Sequence, residues 1–176
     1  IARTLSCLRG FFGFLVDEHC PRCNRCELLT QNPAAAIEEP RIRKRLPKDL
    51  SVGDVEKLLD QPDTLSPLGL RDRALIELLY ATGMRVSELV GVKVSDLDLI
   101  KGYVTCTGKG NKERLIPVGR EACKWLRRYQ SDARPSLISS GSNWLFVNVR
   151  GGKLSRVGFW KVLKKYVCSA GLSPNV

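Results

Sequence analysis

Apolar residues recur at helical spacing from the start of the chain: Leu5, Leu8, Phe12 and Leu15 predict an amphipathic helix over residues 2–16. Its stripe needs a covering partner. The pattern breaks over "DEHCPRCNRCELLTQNP", "AAAIEE" predicts a short helix, and "PRIRKRLPK" at residues 40–48 sets two prolines among five basic residues. That composition marks a linker. Ser51 followed by Asp54 reads as a capping-box start, and Val55, Leu58 and Leu59 continue an apolar stripe up to Pro62. A new domain opens here. Residues 70–81 predict another helix with Ala74, Leu75, Leu78 and Leu79 inward, and a further one begins after Gly83 with Val86, Leu89 and Val90 on one side.

Near Leu97 the period shortens: "YVTCTGKGNKERLIPV" alternates around a glycine-bearing turn, "GKGN", which predicts a β-hairpin. Residues 119–134 return to helix through Ala122, Leu126 and Tyr129, "WLFV" predicts a short strand, and "RGG" a turn. A last helix over residues 159–170 carries Lys161, Lys164 and Lys165. Helices around a small antiparallel sheet make an α+β domain, with no internal repeat.

The 176 residues, 43% hydrophobic and 27% charged, suffice for one proper core with room for a smaller second domain. A membrane span is not expected, because the apolar stretch "FFGFLV" is far shorter than a bilayer requires. Neither a signal peptide nor an anchor is expected. A first residue of isoleucine and a last stretch "GLSPNV" suggest a fragment cut at both ends. The net charge of +11 is unevenly placed: residues 1–100 carry 14 Lys and Arg against 15 Asp and Glu, residues 101–176 carry 15 against 3. A surface with that asymmetry suits a polyanion, since each neutralised phosphate releases condensed counterions; a merely solvated basic face is the alternative. Seven cysteines, an odd count without framework spacing, point to a reducing, cytoplasmic setting.

In "LLYATGMRVSEL" one arginine, Arg85, follows a glycine and opens a helix whose stripe is apolar. Its guanidinium is either paired internally or directed into a cleft. Glu88 lies three residues on, on the same face, so a structural ion pair is the plain reading. Lys109 sits between Gly108 and Gly110 at the hairpin tip, where paired glycines let backbone approach a ligand and a flexible lysine can follow a phosphate or donate a proton. An ordinary solvated turn is the other reading.

The stretch "LRDRALIELLYATGMRVSELVGVKVSDLDL" followed by "GKGNKERLIPVG", with "RTLSCLRGFFGFL", "NPA", "RLPKDLS", "GGKLSRVGFWKVLKKY" and "GLSP" in order around it, resembles the tyrosine recombinase (phage integrase) family in its Xer-like branch. The resemblance implies residues 1–39 as the end of a helical DNA core-binding domain, 40–48 as a basic linker, and 49–176 as an incomplete catalytic domain. It also implies a site-specific recombinase that breaks and rejoins duplex DNA through a 3′-phosphotyrosine, without metal or nucleotide cofactor. Its full-length form would act as a tetramer on DNA, with or without a second recombinase. Arg85 matches the arginine that binds the scissile phosphate, which suits a group that stays charged and donates in a planar fork. Lys109 matches the hairpin lysine that protonates the leaving 5′ hydroxyl. Glu88 matches an acidic position that buttresses the arginine. Lys112 and Arg114 on the following strand are expected to touch DNA, as are Arg41, Arg43, Lys44 and Arg45 of the linker, Arg156 ahead of the last helix and Lys161 within it.

Departures from the family pattern are equally specific. After "SP" the family has a histidine, and here Asn175 stands in that place; the second arginine and the nucleophilic tyrosine do not occur in these residues. Tyr80, Tyr103, Tyr129 and Tyr166 match no nucleophile and are expected to pack. As given, these residues are expected not to cleave DNA, and a non-catalytic DNA-binding remnant is the alternative. His19, Cys20, Cys23 and Cys26 in "HCPRCNRC" raise a third, zinc-dependent nucleic-acid module, but the spacing lacks a second separated Cys-x-x-Cys pair, so no metal is expected. Cys7, Cys106, Cys123 and Cys168 are expected as small core residues.

Overall fold

Three serines fix where helices begin: the side chains of Ser51, Ser66 and Ser155 accept the backbone N–H groups of Asp54, Gly69 and Gly158. Each satisfies a donor that the first helical turn leaves unpaired. A computed structural model describes residues 2–17, 29–38, 49–108, 113–138 and 141–173. The chain divides into two compact units, Ile1–Leu46 and Pro47–Val176.

The first unit holds helix α1 (Ala2–Asp17). Asn32 folds the following segment onto it: its side-chain amide donates to the Arg9 carbonyl at 3.0 Å, while Arg9 Nε donates to the Ala34 carbonyl at 3.2 Å. The expected helix at "AAAIEE" is a turn instead, because the Asn32 side chain captures the Ala34 N–H at 3.0 Å and its carbonyl that of Ala35. Leu5 and Ala34 are buried, whereas Phe11 and Phe14 stay exposed. Cys7 is exposed too, contrary to the core role expected of it. Residues 18–28 and 39–48, with His19, Cys20, Cys23, Cys26 and the linker basics Arg41, Arg43, Lys44 and Arg45, lie outside the described residues.

In the second unit, α2 (Val52–Leu59) opens on a complete capping box, with Ser51 and Asp54 bonding reciprocally. Helix α3 (Pro67–Thr82) runs through the middle of the core with Ala74, Leu75 and Leu78 fully buried. It is held from several sides by charge. Arg71 pairs with Asp72 at 2.6 Å and donates to the Val147 carbonyl at 2.9 Å, and Tyr166 donates its hydroxyl to the other Asp72 oxygen at 2.9 Å. Arg73 bonds Glu77 at 2.8 Å and Asp60 at 3.0 Å, and stacks over Trp125 at 4.6 Å.

After α3 the chain turns through Gly83 into the single turn α4 (Val86–Leu89). Three antiparallel strands follow in the order β1-β2-β3: β1 (Leu97–Asp98), β2 (Tyr103–Thr107) and β3 (Glu113–Pro117). The hairpin therefore forms as expected, with Thr107 opposite Glu113 and Cys106 opposite Arg114. Its tip, residues 109–112, lies outside the described residues. Helix α5 (Arg120–Arg128) widens into a π-turn (Tyr129–Ala133) and closes as α6 (Arg134–Leu137). Tyr129 in that π-turn is fully buried and donates to the Leu145 carbonyl at 2.9 Å. "WLFV" is no strand of the sheet; it makes two isolated bridges, Lys93 to Trp144 and Val147 to Lys153, while Leu145, Phe146 and Val147 enter the core. Helix α7 (Arg156–Ser169) starts three residues earlier than its apolar pattern suggests, because Ser155 caps it. Cys106 and Cys123 are core residues as expected, and Cys168 is exposed. Among the described residues no helix is long and apolar enough to cross a membrane.

The Gly83 cap is the hinge between core and site. It has φ 58°, a left-handed value that ends α3, and nothing lies within 4 Å of a Cβ built there. Gly83→Ala is therefore expected to lose about 1–2 kcal/mol of unfolding free energy through backbone conformation alone. Urea melts check this, and an unchanged midpoint would contradict it.

Candidate functional site

Arg85 has an extended backbone, φ −67° and ψ 148°, because it caps α4 rather than joining it. Glu88, at the third helical position, reaches back and accepts the Arg85 N–H at 2.8 Å through one carboxylate oxygen. The other oxygen accepts the Arg85 guanidinium at 3.0 Å. This is the local pairing that the spacing predicts. The exposures of the two partners differ: the Glu88 side chain is 7% exposed and that of Arg85 72%. The guanidinium is thus anchored at one edge by a buried carboxylate and open at the rest, with donors left for an external anion.

A second arginine reaches the same carboxylate. Arg114 of β3 donates to the oxygen that holds the Arg85 N–H, at 2.9 Å, across 26 residues of sequence. Burial pushes the Glu88 carboxyl upward, but the Arg85 N–H and guanidinium and the charge of Arg114 outweigh it, leaving the pKa below the ordinary glutamate value. The site therefore keeps its anion at neutral pH. Arg114, expected as a DNA contact, is half-exposed and already engaged.

The flanks of α4 are lined differently. On one side a small cavity of about 100 Å³ is lined by Ser87, Glu88, Asp96 and Thr105–Thr107 of β2. Another, of about 320 Å³, is lined by Ser87, Val90, Lys153, Leu154, Ser155 and Arg156. Arg156 thus joins the α4 neighbourhood, together with Lys153, which sequence reasoning passed over. Lys153 rests 4.0 Å from the Trp144 ring centre, and the "GGK" turn that carries it was the available signal. Lys161 does not join them. It lines a separate cavity of about 680 Å³ between α3 and α7, with Asp63 and Asp72 on the opposite wall. Lys109, Lys112 and Asn175 lie outside the described residues.

The tyrosines sort by burial. Tyr129 and Tyr166 spend their hydroxyls on internal acceptors; burial pushes Tyr129 up to about 12 and, with Asp72 beside it, raises Tyr166 as well. Tyr80 is exposed on α3. Among the described residues no group of three or more His, Cys, Asp or Glu side chains is placed to hold a metal.

The fold, helices around a three-stranded antiparallel sheet, is shared with solved recombinases. It matches XerH bound to a palindromic difH substrate with TM-score 0.74 and 23% identity, over 93% of this chain and 48% of that one. It matches XerA recombinase with TM-score 0.66 and 26% identity, over 75% of this chain and 46% of that one. The phage integrase family model matches residues 48–176, and the chain belongs to that family. Its curated relatives include tyrosine recombinase XerD of Yersinia pestis, 44% identical over 181 aligned positions covering 99% of this chain and 58% of the relative. XerD of Halalkalibacterium halodurans is 45% identical over 166 positions, covering 94% and 53%. The Xer-like assignment from sequence holds, and the chain spans a little over half the length of these relatives.

Glu88→Gln removes the charge and keeps the shape. It is expected to cost about 1–2 kcal/mol, since hydrogen bonds to a charged, buried acceptor are lost or weakened. Because the folded pKa lies below the unfolded one, the carboxylate's contribution is present above the ordinary carboxyl range and lost as pH falls through the folded value. Denaturant melts of both proteins across acid pH check this: the gap between them should close in acid, and a gap that widens there would contradict it.

Proposed function

We propose that this chain belongs to a site-specific DNA recombinase that breaks and rejoins duplex DNA through a 3′-phosphotyrosine, with Arg85 binding the scissile phosphate. The observation that carries this reading is the anchored, open guanidinium of Arg85: a phosphoryl transition state spreads negative charge over its oxygens and is stabilised by donors already fixed in place. Glu88 supplies that fixity without neutralising the outward face. Lys109 then protonates the departing 5′ oxygen to give the 5′ hydroxyl, Lys112 contacts the backbone beside it, and Arg156 with Lys153 contacts a neighbouring phosphate. No metal or nucleotide enters the step.

The structural relatives support a DNA partner: XerH was solved as a post-cleavage complex with its difH substrate, and lambda integrase as a tetramer bound to a Holliday junction. By this reading residues 1–39 close a core-binding domain, 40–48 form a basic linker along the phosphates, and 49–176 belong to the catalytic domain. The working form is a cytoplasmic tetramer on two duplexes. A second reading, DNA binding without cleavage, draws on two observations: Asn175 stands where the resemblance puts a histidine, and the Tyr129 and Tyr166 hydroxyls are committed to internal acceptors.

In the full-length protein, duplex titrations at several salt concentrations and trapping of covalent complexes on a nicked duplex separate these readings. Arg85→Ala is expected to keep duplex affinity within about tenfold while lowering any covalent complex by about a thousandfold. Salt-dependent binding with no covalent complex at all selects the second reading. A chain that binds no duplex at low salt would overturn both.

A further inference from the structure

We propose that Arg114 is a positioning residue, which clasps strand β3 to α4 through Glu88 and so holds in place the carboxylate that orients Arg85. The catalytic consequence rests on the phosphate-binding reading of Arg85; the clasp itself does not. Register supplies the first support. Arg114 lies opposite Cys106 on β2, and paired residues share a sheet face. Cys106 and Val104 on that face are buried, so Arg114 leaves β3 toward the layer that contains Glu88. Its neighbours Glu113 and Leu115 are exposed on the other face.

The bonding pattern supplies the second. The Glu88 oxygen that accepts from Arg114 at 2.9 Å is the one that accepts the Arg85 N–H at 2.8 Å, so one carboxylate oxygen ties strand to helix cap. The third is position along the strand. Val118 N–H donates to the Gly102 carbonyl at 2.8 Å and holds the far end of β3, whereas Arg114, its second residue, holds the end next to the tip. β3 is the edge strand of the sheet, paired on one side with β2 and tied to α4 by Arg114.

Amide hydrogen exchange in the free chain tests the clasp, and duplex titration in a salt series tests what Arg114 does with DNA. Arg114→Ala is expected to speed exchange of the β2–β3 amides about tenfold, with core amides such as Leu75 and Leu78 unchanged and the salt slope of duplex binding unaltered. Arg114→Lys, which keeps the charge without the planar fork, is expected to restore part of the protection. If the alanine variant also loses core protection, the lysine variant carries the comparison. Unchanged hairpin exchange overturns the proposal, and a salt slope reduced by about one would then mark Arg114 as a phosphate contact instead. A wild-type chain that binds no duplex would remove the phosphate reading, while the exchange measurement still decides the clasp.

Discussion

One buried carboxylate governs the geometry of this site. Glu88 accepts the backbone N–H of Arg85, its guanidinium, and the guanidinium of Arg114, and is itself almost fully covered. An ionised carboxylate out of water is costly alone and is kept charged by such donors. The consequence is directional: one guanidinium nitrogen of Arg85 is held by Glu88 while most of the side chain faces solvent. Gly83 makes this possible upstream. By ending α3 in a left-handed residue it lets Arg85 sit extended at the helix cap, where the reach to Glu88 is three residues.

Behind the site lies a scaffold built to hold α3 in one place. The pair Arg71–Asp72, closed by the Tyr166 hydroxyl and the Val147 carbonyl, joins α3 to α7 and to the buried segment 145–147. Buried pairs of this kind add little net stability, because desolvation consumes most of the attraction. Their geometry, however, fixes how α3 is oriented in the core, and α4 follows from α3 after three residues, Gly83 to Arg85. Tyr129 performs a similar service from the π-turn through the Leu145 carbonyl.

What the sequence made legible was local. Serine caps, the alternation of the hairpin and the Arg85–Glu88 spacing each depend on residues within a few positions, where propensity and reach decide the outcome. The Arg114–Glu88 bond spans 26 residues and depends on strand register against a helix cap, which no periodicity encodes. "WLFV" reads as a strand because it is a short apolar run; it makes two single bridges and joins the core instead. "AAAIEE" has helical composition, but Asn32 captures its first amides. Cys7 and Cys168 lie on helix faces that read as apolar, yet both are exposed. Lys161 and Arg156 share a helix yet line different cavities, a separation that follows from their angular positions on α7.

The most direct test of this account is an NMR titration of the Glu88 side-chain carboxyl carbon in the free chain. A carboxylate clasped by two guanidinium groups and a backbone N–H should titrate below the ordinary glutamate range. A titration at or above that range would mean that burial wins over the arginines, and that Arg85 is not held outward by Glu88.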